Sequence, residues 1–255
     1  MIMFGICILS IVPVRKEPSD ASEMVTQLLF GDTFRILEAT KKWIRIQITF
    51  DQYEGWIDRK QYQEISAFDF DALQSSEAIY NAEYIDFVSN ASHTTIPIPI
   101  GAEVGWLQMP NLNTKDWNFD GNKIVGVNNK SHLVKIAMQY LNAPYLWGGK
   151  TPFGIDCSGF TQMVYKINGY SLFRDASQQA NQGEALSFIE ESEPGDLAFF
   201  DNEEGKIIHV GILLQDNNII HASGQVRIDR LDHLGIFNQE TNRHTHRLRV
   251  IKKLI

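Results

Sequence analysis

The sequence predicts an α+β protein in which a β-rich portion precedes a C-terminal domain of mixed helices and strands. Two observations carry this prediction. Residues 6–66 form short β-branched or aromatic runs separated by turns, whereas helical and strand patterns alternate from Ser131 onward. The 255 residues are enough for two or three compact units. The predicted domain boundaries are 1–66, 67–128 and 129–255.

The first predicted domain has the strand spacing of a small β-barrel. Gly31 and Asp32 separate two apolar runs as a hairpin turn would, and residues 43–48 alternate like a strand that is buried on one face. The predicted strands cover residues 6–14, 25–29, 33–39, 43–50 and 54–57.

Residues 67–128 are predicted to form a second, degenerate barrel or linker domain. A helical opening is expected at residues 68–73, and short strands are expected at 102–109 and 123–127. Pro97 and Pro99 argue that their segment is not a central strand, because proline has no N–H to donate to a sheet ladder.

Charge and cysteine content narrow the function classes. The 23 basic and 31 acidic residues give a net charge of −8, which argues against a nucleic-acid partner or a polybasic membrane surface. Two cysteines, Cys7 and Cys157, are too few for a disulfide framework and indicate a reducing compartment. The apolar N-terminus lacks a positive region and a cleavage site, so it is interpreted as a buried strand. A soluble, cytoplasmic monomer is expected, with export as the alternative.

The C-terminal third contains a candidate nucleophile. Leu133, Ile136 and Ala137 begin a helical stripe for which Ser131 is the predicted N-cap. After a loop rich in glycine and aromatic residues, Cys157 precedes a second amphipathic pattern, at the predicted N-terminus of a helix. The positive end of the helix dipole should favour a thiolate there and lower the pKa of the cysteine.

Two histidines are candidates for the base and its partner. His209 and His221 lie in consecutive apolar strand patterns separated by Asp216 and Asn217. If these strands pair antiparallel with an odd-length loop, both imidazoles lie on one sheet face, directly opposite or on a diagonal. A cysteine nucleophile, a histidine base and a polar orienter are the components of a cysteine peptidase site.

Four motifs resemble the NlpC-type cysteine peptidases of bacterial peptidoglycan. They are Asp-Cys-Ser-Gly-Phe at 156–160, Pro-Gly-Asp-Leu-Ala-Phe-Phe at 194–200, His-Val-Gly-Ile at 209–212 and Ile-His-Ala-Ser at 220–223. The resemblance implies a papain-like fold, with Cys157 as nucleophile, His209 as base and His221 as orienter. It also implies that Tyr145 lines the cleft, and Asp156 and Ser158 are expected to contribute to substrate binding.

The arrangement further resembles the YkfC-like, or dipeptidyl-peptidase VI, branch, in which bacterial SH3-like domains precede the peptidase. That resemblance implies cleavage between γ-D-glutamate and a diamino acid in small murein peptides with a free N-terminal L-alanine. It implies an amine pocket formed by Asp175, the backbone of Ala176, Glu23 and Tyr53. No cofactor is implied.

The sequence alone leaves alternatives to a peptidase open. Cys157, His209 and His221 could form a zinc site, although no fourth ligand follows in motif spacing. His244 and His246 are interpreted as part of a solvated strand or turn. The same fold could host an acyltransferase or amidase, or a catalytically silent module that binds wall peptides.

Overall fold

The computed structural model describes residues 3–255, which divide into two compact units between Gly126 and Val127. Each unit has its own sheets and its own hydrophobic cores. The division falls close to the predicted start of the last domain at residue 129. Met1 and Ile2 of the apolar N-terminus lie outside the described residues.

The first unit is built on one antiparallel sheet of seven strands in the order β3-β2-β6-β5-β4-β1-β7. The strands are β1 (Met3–Ile6), β2 (Ile11–Arg15), β3 (Met24–Leu29), β4 (Thr33–Ala39), β5 (Trp43–Ile48), β6 (Glu54–Asp58) and β7 (Gln63–Ile65). In β5 the side chains of Ile44, Ile46 and Ile48 are buried, while those between them are more exposed. This alternation, with period two, places the apolar side chains in one core, as predicted.

The predicted first strand at 6–14 is two strands with a break between them. The Cys7 N–H donates to Asp32 O at 2.9 Å, and the Gly31 N–H donates to Cys7 O at 2.8 Å. These bonds hold Cys7 beside the turn at Gly31 and Asp32, and the chain bends at residues 9–10. As a result β1 and β2 pair with different partners, β4 and β3 respectively.

Residues 67–126 do not form the predicted second barrel. They contain α1 (Ala67–Ser75), β8 (Ile79–Asn81), β9 (Ile85–Ser89), β10 (Thr95–Pro99) and β11 (Lys123–Val125). These strands pair only as β8 with β11 and β9 with β10 in the described residues, and the predicted strand at 102–109 is a 3₁₀ turn, Gly105–Gln108. Side chains of this segment, including Phe70 and Trp106, share one core with Ile6 and Phe30. The segment thus belongs to the first unit. The helix near 68–73 and the strand near 123 are confirmed.

The second unit contains α2 (Lys130–Gln139), the hairpin β12 (Lys150–Thr151) and β13 (Gly154–Ile155), α3 (Cys157–Ile167) and α4 (Ala176–Gln179). The N-cap of α2 is Asn129, whose side chain accepts from the His132 N–H at 3.0 Å, and not the predicted Ser131. Every residue of α3 is buried, because α2, α4, β12 and the large sheet pack around it.

The large sheet of the second unit closes on itself. Its strands are β14 (Glu184–Leu186), β15 (Leu197–Asp201), β16 (Ile207–Leu213), β17 (Asn218–Ser223), β18 (Gln225–Asp232), β19 (Gly235–Asn238) and β20 (Arg243–Lys253). They follow the order β14-β20-β15-β16-β17-β18-β19, and β20 also pairs with β19. Strands β15 to β20 therefore form a ring around an apolar core that includes Phe200, Leu213 and Ile236. The observed architecture is α+β, as predicted.

No helix in residues 3–255 has the length and apolar character needed to cross a bilayer.

Candidate active site

Cys157 is the first residue of α3, and a tight loop holds the start of that helix. Asp156 is the N-cap, and its Oδ1 accepts from the Gly159 N–H at 2.7 Å. Its Oδ2 accepts from the Gly148 N–H at 2.8 Å. A Cβ on Gly159 would lie 2.3 Å from the Gly149 carbonyl oxygen, so only glycine permits this approach. The glycines of the loop and of the helix therefore fix the position of Cys157.

A buried arginine completes this support. Arg174 donates from Nη2 to Asp156 Oδ2 at 2.6 Å and from Nη1 to both Asp156 Oδ1 and Ser158 Oγ at 3.0 Å. All three side chains are buried. Such a pair compensates the desolvation of both charges only because its hydrogen bonds are satisfied. The side chains of Asp156 and Ser158 thus bond within the protein, and their contribution to substrate binding stays a prediction. Sequence reasoning missed Arg174.

The two histidines come from neighbouring strands and bond to each other. In the β16–β17 ladder Gly211 lies opposite His221, which places His209 on the diagonal of the same face, as the antiparallel interpretation requires. His209 Nε2 and His221 Nδ1 are 2.8 Å apart, and both residues are buried. The backbone of Val210, the next residue along β16, hydrogen-bonds to the Cys157 thiol. Helix α3, which begins with Cys157, packs against β16 and β17, the strands that carry the two histidines.

A carboxylate that sequence reasoning missed continues this chain of hydrogen bonds. Asp229 Oδ2 lies 3.0 Å from His221 Nε2, and Arg227 donates to both oxygens of Asp229 at 2.8 and 3.1 Å. In the β17–β18 ladder Ile219 lies opposite Asp229, so Asp229 is diagonal to His221. The sequence contained a signal for this carboxylate, because a hairpin centred on Gly224 would place β18 in this register beside β17.

Burial determines the resting charges of the nucleophile and base. Desolvation raises the pKa of the Cys157 thiol to about 12, and the nearby Asp156 charge adds to this, against backbone hydrogen bonds from Val210 and Ser158 and the Arg174 charge. The predicted lowering of this pKa by the helix N-terminus is therefore wrong, because burial outweighs it. Burial holds the pKa of His209 well below its ordinary value, and the neighbouring rings of His221 and His246 act in the same direction. Burial therefore favours the neutral thiol and the neutral imidazole.

His244 and His246 differ in their surroundings. His244 is exposed and lies 2.9 Å from Asp232 Oδ2, in keeping with the solvated strand that was predicted. His246 is half-buried and stacks on the His209 ring, with centroids 4.1 Å apart and planes at 25°. Burial lowers the pKa of His246 to about 4, so it covers the base as a neutral ring.

Three residues that were predicted to contact the substrate, Tyr145, Asp175 and Ala176, belong to the second unit. The pKa of Tyr145 is raised to about 12, first by burial and then by the charges of Cys157 and Asp156, which shows its proximity to the thiol. Asp175 is the half-buried N-cap of α4, and Ala176 is buried at its first position. Helix α4 packs against α3 and β16, which carry Cys157 and His209.

Glu23 and Tyr53 belong to the first unit. Glu23 is exposed, with its carboxylate 3.5 Å from Lys16 Nζ. Tyr53 is half-buried against the core of the seven-stranded sheet, and its N–H donates to Asp51 Oδ1 at 3.0 Å. Their contribution to an amine pocket stays a prediction.

Within residues 3–255, no group of three or more His, Cys, Asp or Glu side chains has the arrangement to hold a metal ion. The facing nitrogens of His209 and His221 bond to each other.

Gly211 should be essential for the position of His221. A Cβ at Gly211 would lie 2.9 Å from the Cβ of His221, closer than carbon atoms pack. We expect Gly211→Ala to lower kcat about tenfold and to cost about 1–3 kcal/mol of stability through overpacking. The measurements are kcat and thermal unfolding. Ile212→Val, on the opposite face of β16, is the control and should keep kcat. A wild-type kcat in Gly211→Ala would show that this contact does not set the position of His221.

A cysteine at the start of a buried helix, beside a histidine base held by a polar chain in an antiparallel sheet, defines a cysteine peptidase with a papain-like domain. Comparison with known families agrees: residues 142–246 match the NlpC/P60 family, and residues 14–61 match the bacterial dipeptidyl-peptidase SH3 domain. The chain thus carries an NlpC/P60 peptidase domain preceded by an SH3-like domain of dipeptidyl-peptidase type.

Similar proteins extend over both units. The chain is 27% identical to dipeptidyl-peptidase 6 of Lysinibacillus sphaericus, over 90% of this chain and 92% of that protein. It is 28% identical to the γ-D-glutamyl-L-lysine dipeptidyl-peptidase of Bacillus subtilis (strain 168), over 77% of this chain and 71% of that one. An NlpC/P60 family protein from Bacillus cereus ATCC 10987 has the same fold, with a TM-score of 0.78 at 19% identity over 98% of this chain and 99% of that one.

Proposed function

We propose that this enzyme hydrolyses the bond between γ-D-glutamate and an L-diamino acid in small peptidoglycan peptides whose N-terminal L-alanine is free. The 2.8 Å hydrogen bond between His209 and His221, beside Cys157, carries the assignment of peptide hydrolysis. The substrate class is supported by relatives named dipeptidyl-peptidase 6 and γ-D-glutamyl-L-lysine dipeptidyl-peptidase, which match across both units.

The reaction begins with a neutral thiol and a neutral imidazole. Attack and proton transfer are therefore coupled: His209 takes the Cys157 proton as Sγ bonds to the γ-glutamyl carbonyl carbon. The C–N bond then breaks, and the proton passes from His209 to the departing amine of the diamino acid. A water molecule gives a proton to His209 as its oxygen attacks the thioester, which releases the dipeptide and restores the thiol.

The oxyanion of each tetrahedral intermediate would form at the start of α3. The first-turn amide N–H groups of a helix lack intrahelical acceptors and point toward its N-terminus, where Cys157 lies. The Tyr145 phenol supports the same site, because its raised pKa keeps it protonated as a donor through the neutral range.

The free amine is the determinant of specificity in this proposal. An ammonium that enters a partly dehydrated pocket needs a carboxylate, or its desolvation is uncompensated. Asp175 is the candidate carboxylate in the second unit. A pocket at a fixed distance from Cys157 would admit two residues before the scissile bond. In intact wall the amine of that alanine is acylated, so intact wall would be excluded. We therefore include in the proposal a cytoplasmic role in the recycling of released fragments, and we propose that the enzyme is a monomer.

The test compares L-Ala-γ-D-Glu-L-Lys with its N-acetylated form and with intact sacculi. We expect kcat/KM to fall at least about tenfold on acetylation, because the lost contact is worth about 1.4 kcal/mol or more. Asp175→Asn should raise KM for the free peptide and narrow this difference, whereas Asp216→Asn, in the exposed β16–β17 turn, should change neither. Similar kcat/KM values on all three substrates would contradict the amine pocket and the recycling role. Transfer of the dipeptide to an added amine would identify an acyltransferase.

A further inference from the structure

We propose that Asp229 is a positioning residue that, through His221, fixes which nitrogen of His209 carries the proton. The proposal rests on a continuous set of hydrogen bonds across β16, β17 and β18. It builds on the proposed role of Cys157 and His209, and it assigns the atom at which the base acts.

Asp229 is placed to act as a fixed acceptor. The side chains of His221 and Asp229 are 1% and 3% exposed, so water does not compete for the 3.0 Å contact between them. Arg227 bonds both carboxylate oxygens, and Glu240 lies 3.0 Å from Arg227 Nη1 on its exposed side. Burial raises the pKa of Asp229, but hydrogen bonds from His221 and Arg227 outweigh it and leave the pKa below its ordinary value. Asp229 is therefore ionised at neutral pH.

An ionised carboxylate can only accept a hydrogen bond. This property determines the tautomer of His221, and His221 in turn determines the tautomer of His209. His221 Nε2 must carry the hydrogen that Asp229 accepts. A His221 ring with a single hydrogen, held on Nε2, accepts at Nδ1, so the hydrogen of the 2.8 Å contact belongs to His209 Nε2. His209 Nδ1 is left bare, and it is the nitrogen that takes the proton of Cys157. When His209 becomes an imidazolium, the same series of hydrogen bonds connects it, through His221, to the negative charge of Asp229.

The substitutions should separate the role of the acceptor from that of the charge. Asp229→Leu removes the acceptor, and we expect kcat to fall about 50-fold with KM changed less than about twofold, because the tautomers of both histidines are then no longer fixed while the substrate contacts remain. Asp229→Asn keeps an oxygen toward His221 only with its amide nitrogen against the donor Nη2 of Arg227, so it should restore only part of the loss. Asp201→Leu is the matched control, because Asp201 is another buried carboxylate bonded to an arginine, on β15. It should keep kcat within about twofold.

Two readouts do not depend on the substrate. One is the rate at which iodoacetamide alkylates Cys157, followed by mass spectrometry of its peptide. The other is ¹⁵N NMR of the imidazoles, which should show hydrogen on Nε2 of both His209 and His221 in the wild type and mixed tautomers in Asp229→Leu. If the wild type alkylates readily but cleaves no murein peptide, the substrate assignment fails while this inference stands. Unchanged tautomers, or an Asp229→Leu variant as active as the wild type, would overturn the inference.

Arg227→Met provides a test if Asp229→Leu does not fold. The titratable or charged groups around Asp229 are His221 on β17, Arg227 on β18 and His246 on β20. Arg227 lowers the pKa of Asp229, so its removal raises that pKa. A protonated Asp229 can donate to His221 and reverse both tautomers. We therefore expect the low-pH fall in the rate of Cys157 alkylation to begin at a pH about half to one unit higher than in the wild type. An unshifted fall would overturn the inference.

Discussion

Replacing Cys157 with alanine should reduce peptide hydrolysis by at least about 10⁴-fold, because no other group can form the thioester. The fold should persist, since the side chain is a small part of a helix that is buried along its whole length. The measurements are kcat/KM on L-Ala-γ-D-Glu-L-Lys and the thermal unfolding midpoint.

Cys7 supplies the matched control for this substitution. It is the other cysteine of the chain, and it is fully buried in the core of the first unit. Cys7→Ala should therefore lower the unfolding midpoint and leave kcat unchanged. Undiminished activity in Cys157→Ala would falsify the assignment of the nucleophile.

The two histidines should differ in how much activity their replacement removes. His209→Ala should lose about 10³–10⁴-fold in kcat, because the base must gain and lose a proton in each half of the reaction. His221→Asn should retain about a tenth of the activity, because an amide oxygen can still accept from His209 Nε2. The comparison is made from single-turnover rates of both variants.

His244→Ala is the control for this comparison, because His244 is exposed and bonded to Asp232. It should behave as the wild type does. Equal losses in His209→Ala and His221→Asn, together with zinc in the purified protein, would instead favour the metal site that the sequence left open.

Local patterns predicted the parts of the site that depend on a single turn. The hairpin between β16 and β17 turns at Asp216 and Asn217, which have φ angles of 57° and 56°, and this turn gives His209 and His221 their common face. The position of Asp229 depends on the register of a third strand, β18, as well. His246 could not be placed, because its contact with His209 depends on the closure of β20 against β19.

The segment after the first sheet could not be predicted for a related reason. Its pairings join positions that no periodicity connects, such as Tyr80 with Glu103 and Ser89 with Asn118. Its apolar side chains complete a core begun by Ile6 and Phe30, so the segment has no separate hydrophobic pattern of its own. Sequence patterns report local periodicity, whereas this core is assembled from distant parts of the chain.

The closed ring of β15 to β20 has a consequence for the motions of the enzyme. Proteins open most easily at free sheet edges and chain ends, and a closed sheet has neither beside its inner strands. His209, His221 and Asp229 lie on three consecutive strands of the ring, and His246 lies on the strand that closes it. Partial opening that released one of these residues would break ladders on both sides of its strand. The base and its partners therefore share the stability of the domain centre, and the flexibility that substrate entry requires must come from the loops around it.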